Sequence, residues 1–126
     1  MIKMISTDQA PQAIGPYSQA IQAGNFIFLS GQIPVNPETN EVVEADIRTQ
    51  TIQVMKNIQS ILQTEGLDMT DIVKTTIFVK DLQEFSAINE EYGQVLGSHR
   101  PARSTVEVSR LPKDVLIEIE AIALRK

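Results

Sequence analysis

The chain has 126 residues, a usual size for one domain, and its 16 acidic and 11 basic side chains give a net charge of −5. This balance argues against a nucleic-acid-binding surface, because a basic patch is possible only around residues 100–113. The absence of cysteine and the presence of one histidine exclude disulfides, thiol nucleophiles and zinc sites of the Cys/His type.

The N-terminal part of the chain predicts strands and turns. Weak strand patterns occur near residues 2–6 and 18–23, and a stronger one covers residues 25–30. The first residues lack the apolar stretch of a secretion signal, and the chain has no run of about 18 apolar residues. No linker or repeat occurs, so we expect one cytoplasmic domain spanning residues 1–126.

Two segments have the apolar period of amphipathic helices. The first covers residues 46–65, and Gly66 is placed to end it. The second begins at Asp81, which together with Glu84 has the form of a capping box, and it ends at Gly97.

Strand patterns at residues 72–80, 103–109 and 115–124 complete an α+β fold, in which a mixed six-stranded sheet carries two helices on one face. In residues 72–80, alternation predicts one face formed by Val73, Thr75, Ile77 and Val79 and another that includes Ile72 and Phe78. Both faces are apolar, as they are in residues 115–124. Since two helices cover only one face, the other should be buried against a second subunit, and we predict a homo-oligomer.

Arg103, at the start of a predicted strand, is a candidate anchor for a carboxylate ligand. A guanidinium in a half-buried strand needs an anion, and its planar fork matches a carboxylate. The alternatives are an ion pair with Glu107 or Glu118, or a solvated strand end.

Three further polar side chains lie in apolar segments. Glu118 and Glu120 share one face of an otherwise aliphatic strand. Either both are interface or edge charges, or burial raises the pKa of one of them and suits it to proton transfer. Asn89 lies within the apolar stripe of the second helix, where its amide needs a hydrogen-bond partner, either a neighbouring loop or a ligand.

Two turns can present groups to a ligand. Residues 15–18 (Gly-Pro-Tyr-Ser) form a turn that presents Tyr17. Residues 30–32 (Ser-Gly-Gln) end a strand at Gly31, whose missing side chain allows close approach to the backbone.

These segments together resemble the RidA (YjgF) family of reactive-intermediate deaminases over nearly the whole chain. The resemblance is carried by residues 13–20 (AIGPYSQA), 30–34 (SGQIP), 73–82 (VKTTIFVKDL), 100–114 (RPARSTVEVSRLPKD) and 117–123 (IEIEAIA). It implies a chorismate-mutase-like homotrimer with clefts between subunits. It also implies hydrolysis of enamines and imines, such as 2-aminoacrylate and 2-aminocrotonate from pyridoxal-phosphate-dependent dehydratases, to 2-keto acids and ammonia without a cofactor.

The same resemblance assigns roles to residues. Arg103 matches the arginine that clamps the substrate carboxylate, and Glu118 matches the glutamate that positions the attacking water. The cleft is lined by Tyr17, Ser30, Gly31, Asn89 and Thr105. Many members of the family have cysteine at the position of Thr105, where a hydroxyl group can still form a hydrogen bond. The alternative is a non-catalytic regulatory protein that binds keto acids. A ribonuclease role, proposed for relatives, conflicts with the net charge of −5.

Overall fold

The computed structural model describes all residues, 1–126. Its elements, in chain order, are β1 (Ile2–Ile5), β2 (Ala20–Ala23), β3 (Phe26–Gln32), β4 (Val35–Asn36), β5 (Glu41–Val42), α1 (Ile47–Thr64), β6 (Ile72–Val79), α2 (Phe85–Leu96), β7 (Ala102–Glu107) and β8 (Ile117–Leu124). Short 3-10 turns cover Met69–Asp71, Leu82–Glu84 and Pro112–Asp114. No helix is both long enough and apolar enough to span a bilayer.

Six strands form one mixed sheet in the order β1-β2-β3-β8-β6-β7. The β6–β7 pair is parallel and the other pairs are antiparallel. The predicted α+β fold, a mixed six-stranded sheet with two helices, is thus confirmed. The sequence patterns did not predict the separate two-stranded hairpin of β4 and β5.

Both helices pack on the same face of the sheet, and a core of 22 buried apolar residues lies between the layers. The helix-free face retains large apolar side chains that are partly or largely exposed: Ile2, Met4, Phe26, Phe28 and Val106. This is the uncovered apolar face expected from the sequence, although the predicted oligomer itself stays a prediction.

The ends of α1 follow the sequence signals, whereas the start of α2 does not. Asp46 caps α1 by accepting a hydrogen bond from the backbone N–H of Thr49 at 2.9 Å, and Gly66 follows the helix with φ of 72°. The predicted capping box of Asp81 and Glu84 is wrong. Asp81 instead caps a 3-10 turn through Gln83, and α2 begins only at Phe85.

A β-bulge in β6 corrects the predicted assignment of side chains to its two faces. Between Ile72 and Lys74 the pairing with β8 shifts by one residue, so Ile72 lies in the core with Thr75 and Ile77. Val73, predicted to share their face, is 39% exposed. Beyond the bulge the predicted alternation holds, because Thr75, Ile77 and Val79 are buried.

Candidate functional site

Arg103 lies on the edge strand β7, with its side chain directed to the helix-covered face. It pairs in register with the buried Thr75 of β6, and its guanidinium lies 5.3 Å from the ring centroids of both Phe85 and Tyr92 on α2. Its Nη1 donates to Oδ1 of Asn89 at 2.8 Å. Two aromatic rings and one amide therefore fix the orientation of this cation.

No carboxylate of the protein pairs with Arg103. The ion pairs of the structure involve other cations, and Glu107 accepts instead from the backbone N–H of Leu82 at 3.0 Å. Within one chain, the alternative of an ion pair with Glu107 or Glu118 is therefore wrong. Asn89 likewise binds Arg103, and not the neighbouring loop considered from the sequence.

Tyr92 and Thr105 add polar groups beside Arg103. The Tyr92 hydroxyl lies 2.6 Å from Oγ1 of Thr75, which fixes its ring, and burial raises the pKa of Tyr92 above its ordinary value. Thr105 follows two residues after Arg103 on the same face of β7. Its buried Oγ1 has no hydrogen-bond partner within the chain.

Glu118 lies on β8, on the helix-free face of the sheet, in register with Phe78. Burial raises the pKa of its carboxyl group, and the neighbouring charge of Glu120 raises it further. This is the pKa shift considered from the sequence. The Glu118 carboxylate receives no hydrogen bond and forms no ion pair within the chain, so it is free to hold a water or a ligand.

Gly31 packs directly against Glu118. A Cβ atom at position 31 would overlap Oε2 of Glu118 and would lie 2.9 Å from its Cδ atom, so only glycine leaves room for the carboxyl group. Ser30 beside it donates from Oγ to the carbonyl of Ser18 at 2.6 Å, while its N–H binds the carbonyl of Gln19. These bonds join the end of β3 to the segment that carries Tyr17.

Tyr17 is presented by a turn, as predicted. Its N–H donates to the carbonyl of Gly15 at 2.9 Å, its side chain is 53% exposed, and it shares a small cavity with Gly31. Lys113, which lines the same cavity, has a left-handed backbone with φ of 55°.

Gln19, which has no role among the sequence-based predictions, organises the Tyr17 segment. Gln19 is 3% exposed, accepts from the N–H of Thr7 at 2.6 Å and donates to the carbonyl of Pro11 at 2.7 Å. Its position within the quoted segment of residues 13–20 was the only available signal. A buried amide of this kind fixes a loop by satisfying several of its backbone groups.

Within one chain the predicted site residues form two groups on opposite faces of the sheet. The first group, on the helix-covered face, contains Arg103, Asn89 and Thr105. The second group lies around Glu118 and Gly31 at the helix-free face, with Ser30 and Tyr17 nearby. The single histidine, His99, lies outside both groups and contacts the carbonyl of Ile72 at 2.7 Å through Nε2.

The fold and these two groups define a small α+β protein with an unpaired arginine and a partly buried, unpaired glutamate. The sequence model of the family Endoribonuclease L-PSP matches residues 7–125. The chain therefore belongs to this family, which is the YjgF/RidA family of the sequence resemblance.

Its relatives include proteins of defined name and structure. A RutC family protein of Pyrococcus horikoshii is 54% identical over 126 residues, which cover 100% of both chains. A 2-iminobutanoate/2-iminopropanoate deaminase of Escherichia coli is 54% identical over 129 residues, again covering 100% of both. The crystal structure of E. coli TdcF with bound serine matches with a TM-score of 0.94 and 48% identity, covering 98% of this chain and 99% of that one.

Proposed function

We propose that the protein is a 2-imino acid deaminase, which hydrolyses 2-iminopropanoate and 2-iminobutanoate to 2-keto acids and ammonia. The observation that carries the proposal is the absence of a charge partner for both Arg103 and Glu118, although each is partly buried. An uncompensated charge in such a position is typical of a site that completes its contacts with a substrate. The full-length similarity to an E. coli protein named for this activity supports the same reaction.

The site is proposed to lie between subunits. Arg103 and Glu118 project from opposite faces of one sheet, so a substrate that touches both must meet Arg103 of one chain and Glu118 of another. The apolar side chains of the helix-free face, such as Phe26 and Phe28, provide a surface for that second chain. A cyclic homotrimer, implied by the family resemblance, would repeat this cleft at each interface.

In this proposal Arg103 binds the substrate carboxylate. Asn89 uses one of the five guanidinium N–H groups, which leaves donors for a two-point contact with the carboxylate. The flanking rings of Phe85 and Tyr92 hold the guanidinium in place before substrate arrives, so little conformational entropy is lost on binding. Thr105, two residues further along the same face of β7, is proposed from the family resemblance to line the cleft.

Glu118 is proposed to activate the water. Its ionised carboxylate accepts a proton from water as the oxygen attacks the imine carbon, which forms a carbinolamine. Glu118 returns that proton to the nitrogen, then takes the proton of the carbinolamine hydroxyl and passes it to the same nitrogen, so that the carbon–nitrogen bond breaks and ammonia leaves as the carbonyl forms. A raised pKa suits both proton transfers, and such a positioned group contributes about 10²–10⁴-fold to the rate.

The proposed substrates are small. The enamines 2-aminoacrylate and 2-aminocrotonate, released by dehydratases that act on serine and threonine, tautomerise to the two imines named above. The serine bound to E. coli TdcF shows that a family member of this fold accommodates a small amino acid. The chemistry requires water and no cofactor, and a cytoplasmic location would place the protein beside such dehydratases.

A coupled assay tests the proposal. Adding the protein to a threonine dehydratase reaction should accelerate the appearance of 2-ketobutyrate, and Arg103→Ala should abolish the acceleration. Arg110→Ala serves as a control, because Arg110 is exposed and pairs only with Asp114. No acceleration by the folded wild-type oligomer would overturn the proposal, and keto-acid binding without turnover would favour a regulatory protein.

A further inference from the structure

Arg103 shares its cavity with a second arginine. A cavity of about 300 Å³ beside α2 is lined by Asn89, Tyr92, Gly93, Arg100, Pro101 and Arg103. Arg100 and Arg103 are three residues apart, so their Cα atoms lie at most about 11 Å from each other. Two arginine residues therefore line one polar cavity.

The Arg100 guanidinium is partly held by the protein and partly free. Its Nη1 donates to the carbonyls of Gly97 and His99, at 2.7 and 2.8 Å, just after the end of α2. These contacts fix the side chain at a helix C-terminus, which favours a cation. They use two of five N–H donors and leave the charge without a carboxylate partner.

The unused hydrogen-bond donors of the cavity point to an acidic ligand with two anionic groups. Both guanidinium groups lie close enough to Tyr92 to lower its pKa electrostatically, against the larger effect of burial, and no acidic side chain lines the cavity. A ligand with one carboxylate binds Arg103 and leaves the three remaining N–H donors of Arg100 unused. A second carboxylate on the ligand would accept from those donors.

We propose that Arg100 makes this site selective for dicarboxylic 2-imino acids, with Arg103 binding the carboxylate next to the imine and Arg100 binding the distal carboxylate. The inference rests on the proposed deaminase function and extends its substrate class. Arg100 is exposed, so its contact with the ligand is partly solvated and should weaken as salt is added.

Two imines of equal chain length provide the kinetic test. An amino-acid oxidase forms them from glutamate, which has a distal carboxylate, and from norvaline, which ends in a methyl group. We expect wild-type protein to favour the glutamate-derived imine in kcat/KM. Arg100→Gln should lower that preference at least about threefold, mainly through KM, with little change for the norvaline-derived imine. Lys3→Gln, which removes a positive charge on the opposite edge strand, should change neither.

A binding measurement separates this inference from the deaminase proposal. In calorimetry, 2-oxoglutarate should bind more tightly than 2-oxopentanoate, and Arg100→Gln should remove the difference even if neither imine is turned over. The inference is overturned if the wild type shows no preference, or if Arg100→Gln weakens both ligands equally. Loss of turnover with retained dicarboxylate selectivity would instead overturn the deaminase reaction alone.

Discussion

The carboxyl group of Glu118 occupies the space that a side chain at position 31 would need. Gly31 is therefore required by its neighbour, and not by a strained backbone, since its φ lies outside the left-handed region. From the sequence, this glycine was expected to allow a ligand to approach the backbone closely. The structure shows that the atom approaching the backbone belongs to Glu118.

Gly31→Ala should displace the Glu118 carboxyl group and lower kcat/KM by about 10²-fold, the effect of moving a catalytic group by about 1 Å. The free energy of unfolding should change little, because the displaced atoms are the far end of a flexible, half-buried side chain. Steady-state kinetics and chemical denaturation measure the two effects. Gly24→Asn is the control, because a Cβ atom at position 24 would meet no atom within 4 Å and asparagine tolerates its left-handed backbone. Full activity in Gly31→Ala would contradict the assigned role of Glu118.

The pH dependence of activity should report on Glu118. Burial and Glu120 raise the pKa of Glu118 above 4.5, so its carboxylate is protonated at a higher pH than an ordinary glutamate. The proposed reaction needs the ionised form, and kcat/KM should therefore fall as the pH drops through this raised pKa.

Glu120→Gln removes the like charge and should shift the acid limb of the pH profile to lower pH, without removing activity at neutral pH. Glu118→Gln should abolish the activity, and with it the acid limb of the pH profile. An unshifted limb in Glu120→Gln would show that another group controls the pH dependence.

The substitution Asn89→Asp should weaken substrate binding, because it places a competing carboxylate beside Arg103. A carboxylate at the position of the Asn89 amide, whose Oδ1 lies 2.8 Å from Nη1 of Arg103, would pair with the guanidinium and compete with the substrate carboxylate. We expect KM to rise about tenfold with a smaller change in kcat, and the free energy of unfolding to increase by up to about 1 kcal/mol. Asn89→Ala, which removes the hydrogen bond without adding charge, should raise KM less. A KM in Asn89→Asp no higher than in Asn89→Ala would argue against Arg103 as the carboxylate anchor.

Local sequence signals predicted most of the fold, because apolar period and capping chemistry act over a few residues. Asp46 and Gly66 mark the ends of α1 as predicted. The bulge at Val73 was not predictable in this way, since it depends on the pairing of β6 with β8 and reverses the alternation at one point. Asp81 failed as a capping-box residue for a similar reason, because the first turn of that segment closes as a 3-10 turn.

The candidate site likewise has features that local sequence predicts and features that depend on long-range contacts. Residue chemistry and family resemblance selected Arg103 and Glu118, but neither predicts which face of the sheet each residue occupies. Those positions follow from long-range register, Arg103 with Thr75 and Glu118 with Phe78. The partner of Asn89 was likewise decided by the packing of α2 on β7, two elements whose contact no local pattern specifies.

The central claim is that Arg103 of one chain and Glu118 of another serve one substrate, and subunit mixing tests it most directly. Arg103→Ala and Glu118→Ala should each be inactive alone. When they are co-expressed or refolded together in equal amounts, about a quarter of the interfaces in a cyclic oligomer pair an intact Arg103 with an intact Glu118. The account predicts that about a quarter of wild-type activity returns on mixing. Activity that stays at the level of the separate variants, in oligomers shown to have exchanged subunits, would contradict it.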